Sequence, residues 1–304
     1  MRFRLNVHCA PGGLEVWQVT QGQSASAATV RLLVLGKRLR DLRVAAGKSL
    51  EDAAAALSVS VLAIRRIEQG QVKWKLPYIK ILLQEYGVSG EEAKTFLTLS
   101  AEANQPGWWY RYRDALPDWF RAFVSLEEEA SLIRAYEPHY IPGLMQTEDY
   151  ARTVLSAGLR DTDEIERRVR LRMERQRKLL QTGDLELWVV MDETVLRRPV
   201  APAPVMRDQI DHLIELVALP NVKLQVIPFA LYIHDGMYGP FHSFRFPFPE
   251  LQDIVYVETV LGSFYVDQYE DVTAFSEALD RMSALAPPPQ RTEALLGAIR
   301  KEIG

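Results

Sequence analysis

Two adjacent arginines, Arg65 and Arg66, stand near the end of the run SVSVLAIRRIEQG (58–70), between a serine suited to start a helix and a glycine suited to stop one. Ile64 and Ile67 sit three apart and turn inward together on a helix, which leaves Val61, Leu62, Ala63, Arg65 and Arg66 on outward positions. The chemistry open to such a face is recognition of base edges. A guanidinium fork matches the O6 and N7 acceptors of guanine, and Arg66 is the residue expected to make that contact. Val61 and Leu62, with no hydrogen-bonding side chain, suit thymine methyl groups.

Catalytic chemistry finds little footing. The chain has no phosphate loop of the G-x-x-x-x-G-K type, no G-x-S-x-G, no H-E-x-x-H and no G-x-G-x-x-G. His234-Asp235 with His242 and Glu258 is the one group with metal or acid-base character, and its spacing matches no ligand pattern. Asp192-Glu193 reads as an acidic strand end. The sequence therefore predicts no enzyme, no cofactor and no metal. The basic stretch ERRVRLRMERQRKLL (166–180) sets Arg168, Arg172, Arg175 and Lys178 off an inward stripe of Val169, Met173 and Leu180. It is open to three readings: a solvated helix, a surface for an anionic ligand or acidic partner, or a second DNA contact.

Charge is distributed unevenly. The chain of 304 residues carries a net −4, yet between Arg31 and Lys75 ten Lys/Arg face four Asp/Glu, a local +6. Positive charge confined to one small segment is the footprint of a polyanion-binding face. A single cysteine, Cys9, excludes an internal disulfide framework and fits a reducing cytoplasm. No apolar run is long enough to span a bilayer, so no membrane partner is expected. The length favours two domains.

The elements that position these residues follow from periodicity and caps. Residues 1–29 read as a flexible N-terminal arm. Over 30–104 the pattern is helical: a first helix on Leu32, Leu35, Leu39 and Leu42; a second capped by Ser49 with Asp52 completing a capping box; a third capped by Ser60 and ended at Gly70. Pro77 and Ser89 open a fourth and a fifth. The second and third helices meet at Ser58-Val59, too short a turn to leave them antiparallel, and a helix-turn-helix results. In that geometry the first helix, starting at Ser49, crosses the phosphate backbone while the second enters the major groove, and a dimer reads two half-sites about one turn apart. Residues 105–183 read as a helical connecting region rich in aromatics, Trp108 and Trp109 among them, with helices over 125–136, 147–157 and 163–181. The aromatics form core at the junction or line a pocket or dimer surface. From 184 to 304 strands over 185–191, 222–227, 241–246 and 253–260 and a helix over 204–218 predict an α+β domain with a mixed or antiparallel sheet.

The stretch GKSLEDAAAALSVSVLAIRRIEQG resembles the Xre or lambda-repressor type of helix-turn-helix, whose hallmark Ile-Glu-x-Gly stands here at Ile67-Glu68-Gln69-Gly70. That likeness implies double-stranded DNA as partner, a structural ion pair between Arg43 and Glu68, and phosphate contacts from Lys73 and Lys75. The family often has Gln at Leu50, which removes one phosphate contact, and Gly at Ser58. Beyond it, GWWYRYRDALPDWFRAFVSLEEEASLIRAYEPHYIPGLMQTEDYAR, RRVRLRMERQ, VVMDETVLRRPV and VYVETVLGSFYV are similar to the C-terminal domain of unknown function of actinobacterial WhiJ-type, antitoxin-like regulators. Relatives are often encoded beside a small protein. The resemblance implies a transcriptional regulator, a homodimer, whose larger domain senses a small ligand or that small protein. A rival is an antitoxin that neutralises its partner and autoregulates its operon. In either case Trp108, Trp109, Arg168, Arg172 and Arg175 are the candidate ligand or partner surface.

Overall fold

In the N-terminal half, short helices with explicit start and stop signals dominate. The structure is a computed structural model that describes residues 17–19, 30–104, 111–112, 118–181, 183–231, 233–247, 252–259 and 262–303. Helix α1 spans Val30–Ala45, α2 Leu50–Leu57, α3 Val61–Glu68, α4 Leu76–Glu85 and α5 Gly90–Ala103. Ser49 and Asp52 form a reciprocal capping box at α2, and Ser60 Oγ accepts from the Ala63 amide at α3. Apolar positions from all five helices meet in one core, among them Leu32, Leu39, Ile64, Ile79 and Leu82. Gly36 lets α1 approach the end of α3 closely: a Cβ there would stand 2.4 Å from the Glu68 carbonyl oxygen. Ser58 holds the turn at φ 52, a left-handed conformation that costs a non-glycine residue about 1 kcal/mol.

The remainder forms an α+β domain. Helix α6 spans Asp118–Glu129, β2 Leu132–Glu137, α7 Glu148–Gly158, α8 Thr162–Gln181, β3 Glu186–Asp192, α9 Glu193–Arg197, α10 Ala203–Val217 and β4 Val222–Ile227. Then come β5 Phe241–Arg245, β6 Ile254–Thr259, β7 Gly262–Val266, α11 Tyr269–Leu285 and α12 Thr292–Glu302. With β1, Trp17–Val19, the strands make one mixed sheet in the order β1-β7-β6-β5-β2-β3-β4. β2, β3 and β4 are parallel; every other pairing is antiparallel. The parallel part is covered on both faces. Ile133, Leu187, Val189 and Leu224 face a core shared with α7, α10 and α12, while Tyr136, Val190 and Ile227 face α11. Burial on both sides explains why LWVVM is an unbroken apolar run. No helix among the described residues is long and apolar enough to cross a membrane.

Three sequence expectations are corrected. The helix expected over 125–136 ends at Glu129, and Leu132–Glu137 is a strand between β5 and β3 in the sheet centre. Its Leu, Ala and Glu are good helix formers, but Ile133 and Ala135 are needed on one sheet face and Tyr136 on the other, so tertiary burial overrides propensity. The stretch 105–183 is consequently no mere connector, since it supplies a central strand and three helices, α6, α7 and α8, of the α+β domain. Part of the expected arm, Trp17–Val19, pairs antiparallel with β7 as an edge strand. The two domains meet where Val34 of α1 packs on the larger core and Arg31 Nε donates to Glu129 Oε1 at 2.7 Å.

Candidate nucleic-acid interface

Helix α3 is held from behind and bare in front. Ile64 and Ile67 are buried, and the Trp74 indole N–H caps the helix end by donating to the Ile67 carbonyl at 3.2 Å. Trp74 stacks on Phe96, and Asn104 brackets its backbone, accepting from the Trp74 amide at 2.9 Å and donating to its carbonyl at 2.8 Å. Glu68 points inward and receives two bonds from Arg43, Nε at 2.7 Å and Nη2 at 3.1 Å, while Arg43 Nη1 donates to the Lys48 carbonyl at 2.9 Å. The pair is buried, and the hydrogen bond to Glu68 raises the Arg43 pKa. One ion pair thus ties α1, the α1–α2 turn and α3 together.

On the outer side Leu62, Arg65, Arg66 and Gln69 are exposed, and the spacing of three and four makes them one stripe. Among the described residues Arg65 and Arg66 have no acidic partner. Three other cations of the head are already neutralised: Lys48 pairs with Glu85 at 2.6 Å, Arg38 with Glu92 at 3.4 Å and Arg31 with Glu129. Lys73 and Lys75 are exposed on either side of buried Trp74, which fixes their loop beside the end of α3. Among the described residues no part of the α+β domain buries this stripe.

Two of the expected contact residues have other duties. Val61 is half-buried and packs on the helical core, because it lies three residues before Ile64 on the inner flank. Ser49 donates its hydroxyl to Asp52 Oδ2 at 2.7 Å and accepts from the Asp52 amide at 3.0 Å, so its donor is used inside the capping box. Ser60 accepts from the Ala63 amide at 3.2 Å, is exposed, and among the described residues has no acceptor for its own hydroxyl. Ala63 is half-buried. Gln69 and Trp74 escaped the sequence reading. The alternation Lys-Trp-Lys at 73–75 was the available signal for the second.

The basic helix α8 divides its arginines. Arg175 is 3% exposed, donates twice to Glu127 at 2.7 and 2.6 Å and lies over the rings of Phe120 and Phe123. It is therefore interior, and the expectation that it belongs to a binding surface is corrected. Arg168 pairs with Glu164 one turn away, and half-buried Arg172 donates to Gln146 Oε1 at 2.5 Å. Trp108 and Trp109 lie outside the described residues. The acid-base candidates do not converge: His234 faces Asp192 at 3.9 Å, Asp235 pairs with Arg281, His242 bonds Glu137 at 2.8 Å, and Tyr256 donates to Glu258 at 3.0 Å. Asp192 caps α9 through the Thr194 amide, and Glu193 accepts from the Phe229 amide. No group of three or more potential metal ligands occurs among the described residues.

Comparison with known families matches both halves. A family described as a helix-turn-helix domain covers residues 34–96, from α1 into α5. A family described as a domain of unknown function (DUF5753) covers residues 120–298, more than half of the chain. The chain belongs to the DUF5753 family. No curated protein and no solved structure matches it. The DUF5753 match begins inside α6 and takes in β2, as the sheet requires and as the expected boundary near 183 did not.

Proposed function

We propose that this protein is a sequence-specific, double-stranded-DNA-binding transcriptional regulator of the Xre type, cytoplasmic and homodimeric, with no catalytic role. Its DUF5753 domain, similar to that of WhiJ-type regulators, serves as the sensor of a small ligand or small protein. The observation that carries the reading is the exposed stripe Leu62, Arg65, Arg66 and Gln69 on a helix whose opposite side is fastened to the core. Placed in a major groove, Arg66 forks onto guanine with about 1–3 kcal/mol of discrimination, and Leu62 meets a thymine methyl. Ser60, Lys73 and Lys75 meet phosphates and set the register. Genome-wide capture with the full chain, then fluorescence anisotropy on the captured duplexes, tests this. Arg66→Ala should weaken the selected site by roughly tenfold or more and leave random duplex little changed. Equal loss on both sequences would show that Arg66 is only a phosphate contact.

An antitoxin-like role is favoured by a different observation. Phe229, Ile233, Met237, Tyr238 and Leu285 are all exposed large apolar side chains, four of them between β4 and β5, and Ile233, Met237, Tyr238 and Leu285 line a recess of about 590 Å³. Such a patch suits a protein contact. Under this reading Arg66→Ala weakens operator binding to the same extent but leaves neutralisation of the neighbouring gene product intact.

A further inference from the structure

The connection from β4 to β5 holds apolar side chains in water on a rigid base. His234 is buried, its ring meets Tyr136 edge-on with centroids 5.7 Å apart, and its Nδ1 accepts from the Gly236 amide at 3.2 Å. Gly236 is pressed onto the sheet: a Cβ there would overlap the Tyr136 ring and stand 2.8 Å from the Met282 sulfur of α11. Asp235 is tied to α11 by Arg281, whose Nε donates to it at 2.9 Å. Around these anchors Ile233, Met237 and Tyr238 stand 81%, 62% and 96% exposed, and Leu285 of α11 49%. Together with the Asp235–Arg281 pair they line one recess of about 590 Å³. A slack loop could fold such side chains down onto the protein, whereas this anchored turn keeps them out, which lowers the ordering cost of an association.

Area, shape and charge specify the occupant. The four apolar side chains offer roughly 600 Å², at the top of what a monomer usually leaves exposed and close to the about 800 Å² that each partner gives to a stable complex. Tyr238 projects beside the recess, so one face carries both a knob and a hole. That is what an isologous contact requires, because the same patch must fit itself across a two-fold axis. The rim bears one carboxylate and one guanidinium, Asp235 and Arg281, already paired, so two copies can face each other there without net repulsion. We propose that a second copy of this chain occupies the patch, each Tyr238 seated in the recess of the other. This supplies the interface of the homodimer in the regulator reading above and rests on that reading.

Sedimentation velocity on the full chain tests this between about 1 and 100 μM, since interfaces of this size bind at micromolar or tighter. The wild type should be dimeric at the upper end. Tyr238→Arg and Ile233→Glu should each raise the dissociation constant by about a hundredfold or more, because each puts an unpaired charge into the apolar seat. Both positions are too exposed for the change to disturb folding. Val44→Arg, at a 61% exposed apolar position on the helical head, should dimerise as wild type. A wild type that stays monomeric at about 100 μM, or a dimer that survives both Tyr238→Arg and Ile233→Glu, overturns the proposal. The first of these results would leave the patch to a foreign protein. Anisotropy on captured duplexes with the same preparations keeps the outcomes distinct. A wild-type dimer that binds no duplex sinks the regulator alone, and a monomer that binds duplex sinks the interface alone.

Discussion

Replacing Glu68 with Gln should open the helical head while leaving its DNA-facing surface chemically untouched. In the wild type Arg43 holds Glu68 by bonds of 2.7 and 3.1 Å, and the two side chains are only 10% and 5% exposed. The amide keeps the shape but cannot neutralise Arg43, so a buried cation loses its counter-charge. Breaking a buried pair from one side costs about 3–5 kcal/mol. At 1.4 kcal/mol per power of ten, amide exchange in α1, α2 and α3 should accelerate by roughly a hundred- to a thousandfold or more. Hydrogen-exchange mass spectrometry on the full chain reads this peptide by peptide, with the peptides of β3 and β4 as internal reference. Replacing both partners, Arg43→Met with Glu68→Leu, removes the stranded charge and should recover most of the protection. Exchange within about tenfold of wild type in Glu68→Gln, or a double variant as labile as the single, would refute the reasoning.

Other consequences follow from the same geometry. Ser58→Gly should stabilise the head by up to about 1 kcal/mol in urea unfolding, because the residue sits at φ 52 and glycine enters that region freely; the gain is less by whatever glycine adds to unfolded-chain entropy. Lys73→Ala should weaken all duplexes alike and reduce the slope of log affinity against log salt by about one, since Lys73 offers a charge but no base contact. His212 is kept from protonating chiefly by burial, which lowers its pKa, and its Nε2 has no partner. The unfolded chain therefore takes up a proton below about pH 6.5 that the folded chain resists, so stability is full above that pH and falls as pH drops through it. Midpoint temperatures from pH 7.5 to 5.5 should fall less steeply for His212→Gln than for wild type, and identical slopes would assign the fall to other groups.

What the sequence made legible was what short-range physics controls. Ser49 with Asp52, Ser60, and the spacing of Ile64 and Ile67 place α2 and α3 because caps and a three-residue stripe act within one or two turns. What escaped depends on contacts far apart in the chain. Leu132–Glu137 becomes a strand because β3 and β5 flank it, and nothing in LIRAYE alone says so. The short β7 is likewise set by its neighbours. Arg175 looked like surface on a helix rich in arginine, yet Glu127, 48 residues earlier, draws it inside. Val61 erred for a geometrical reason: a stripe of two isoleucines leaves flanking positions half covered, which outward-or-inward reasoning does not resolve.

The route from α8 of the larger domain to the exposed stripe of α3 is physically continuous. Arg172 lies beside Arg175, Arg175 is locked to α6 through Glu127, α6 meets α1 at Glu129–Arg31 and near Val34, and α1 grips α3 through Gly36 and Arg43. Continuity alone is not coupling, which needs an element that both sites bias. Magnitudes indicate where that element sits. Useful coupling is about 1–3 kcal/mol. The Arg31–Glu129 pair, with Arg31 47% exposed, is worth about 0.2–1 kcal/mol in a screened setting and cannot carry it. The apolar seat of Val34 on the larger core is the stronger hinge, because packed contacts have discrete arrangements. Glu129→Gln should therefore leave the two domains unfolding together in urea, whereas Val34→Ala should let the helical head unfold at lower urea than the α+β domain. Hydrogen exchange of the two domains against urea measures both, and the opposite ranking would place the coupling in the ion pair instead.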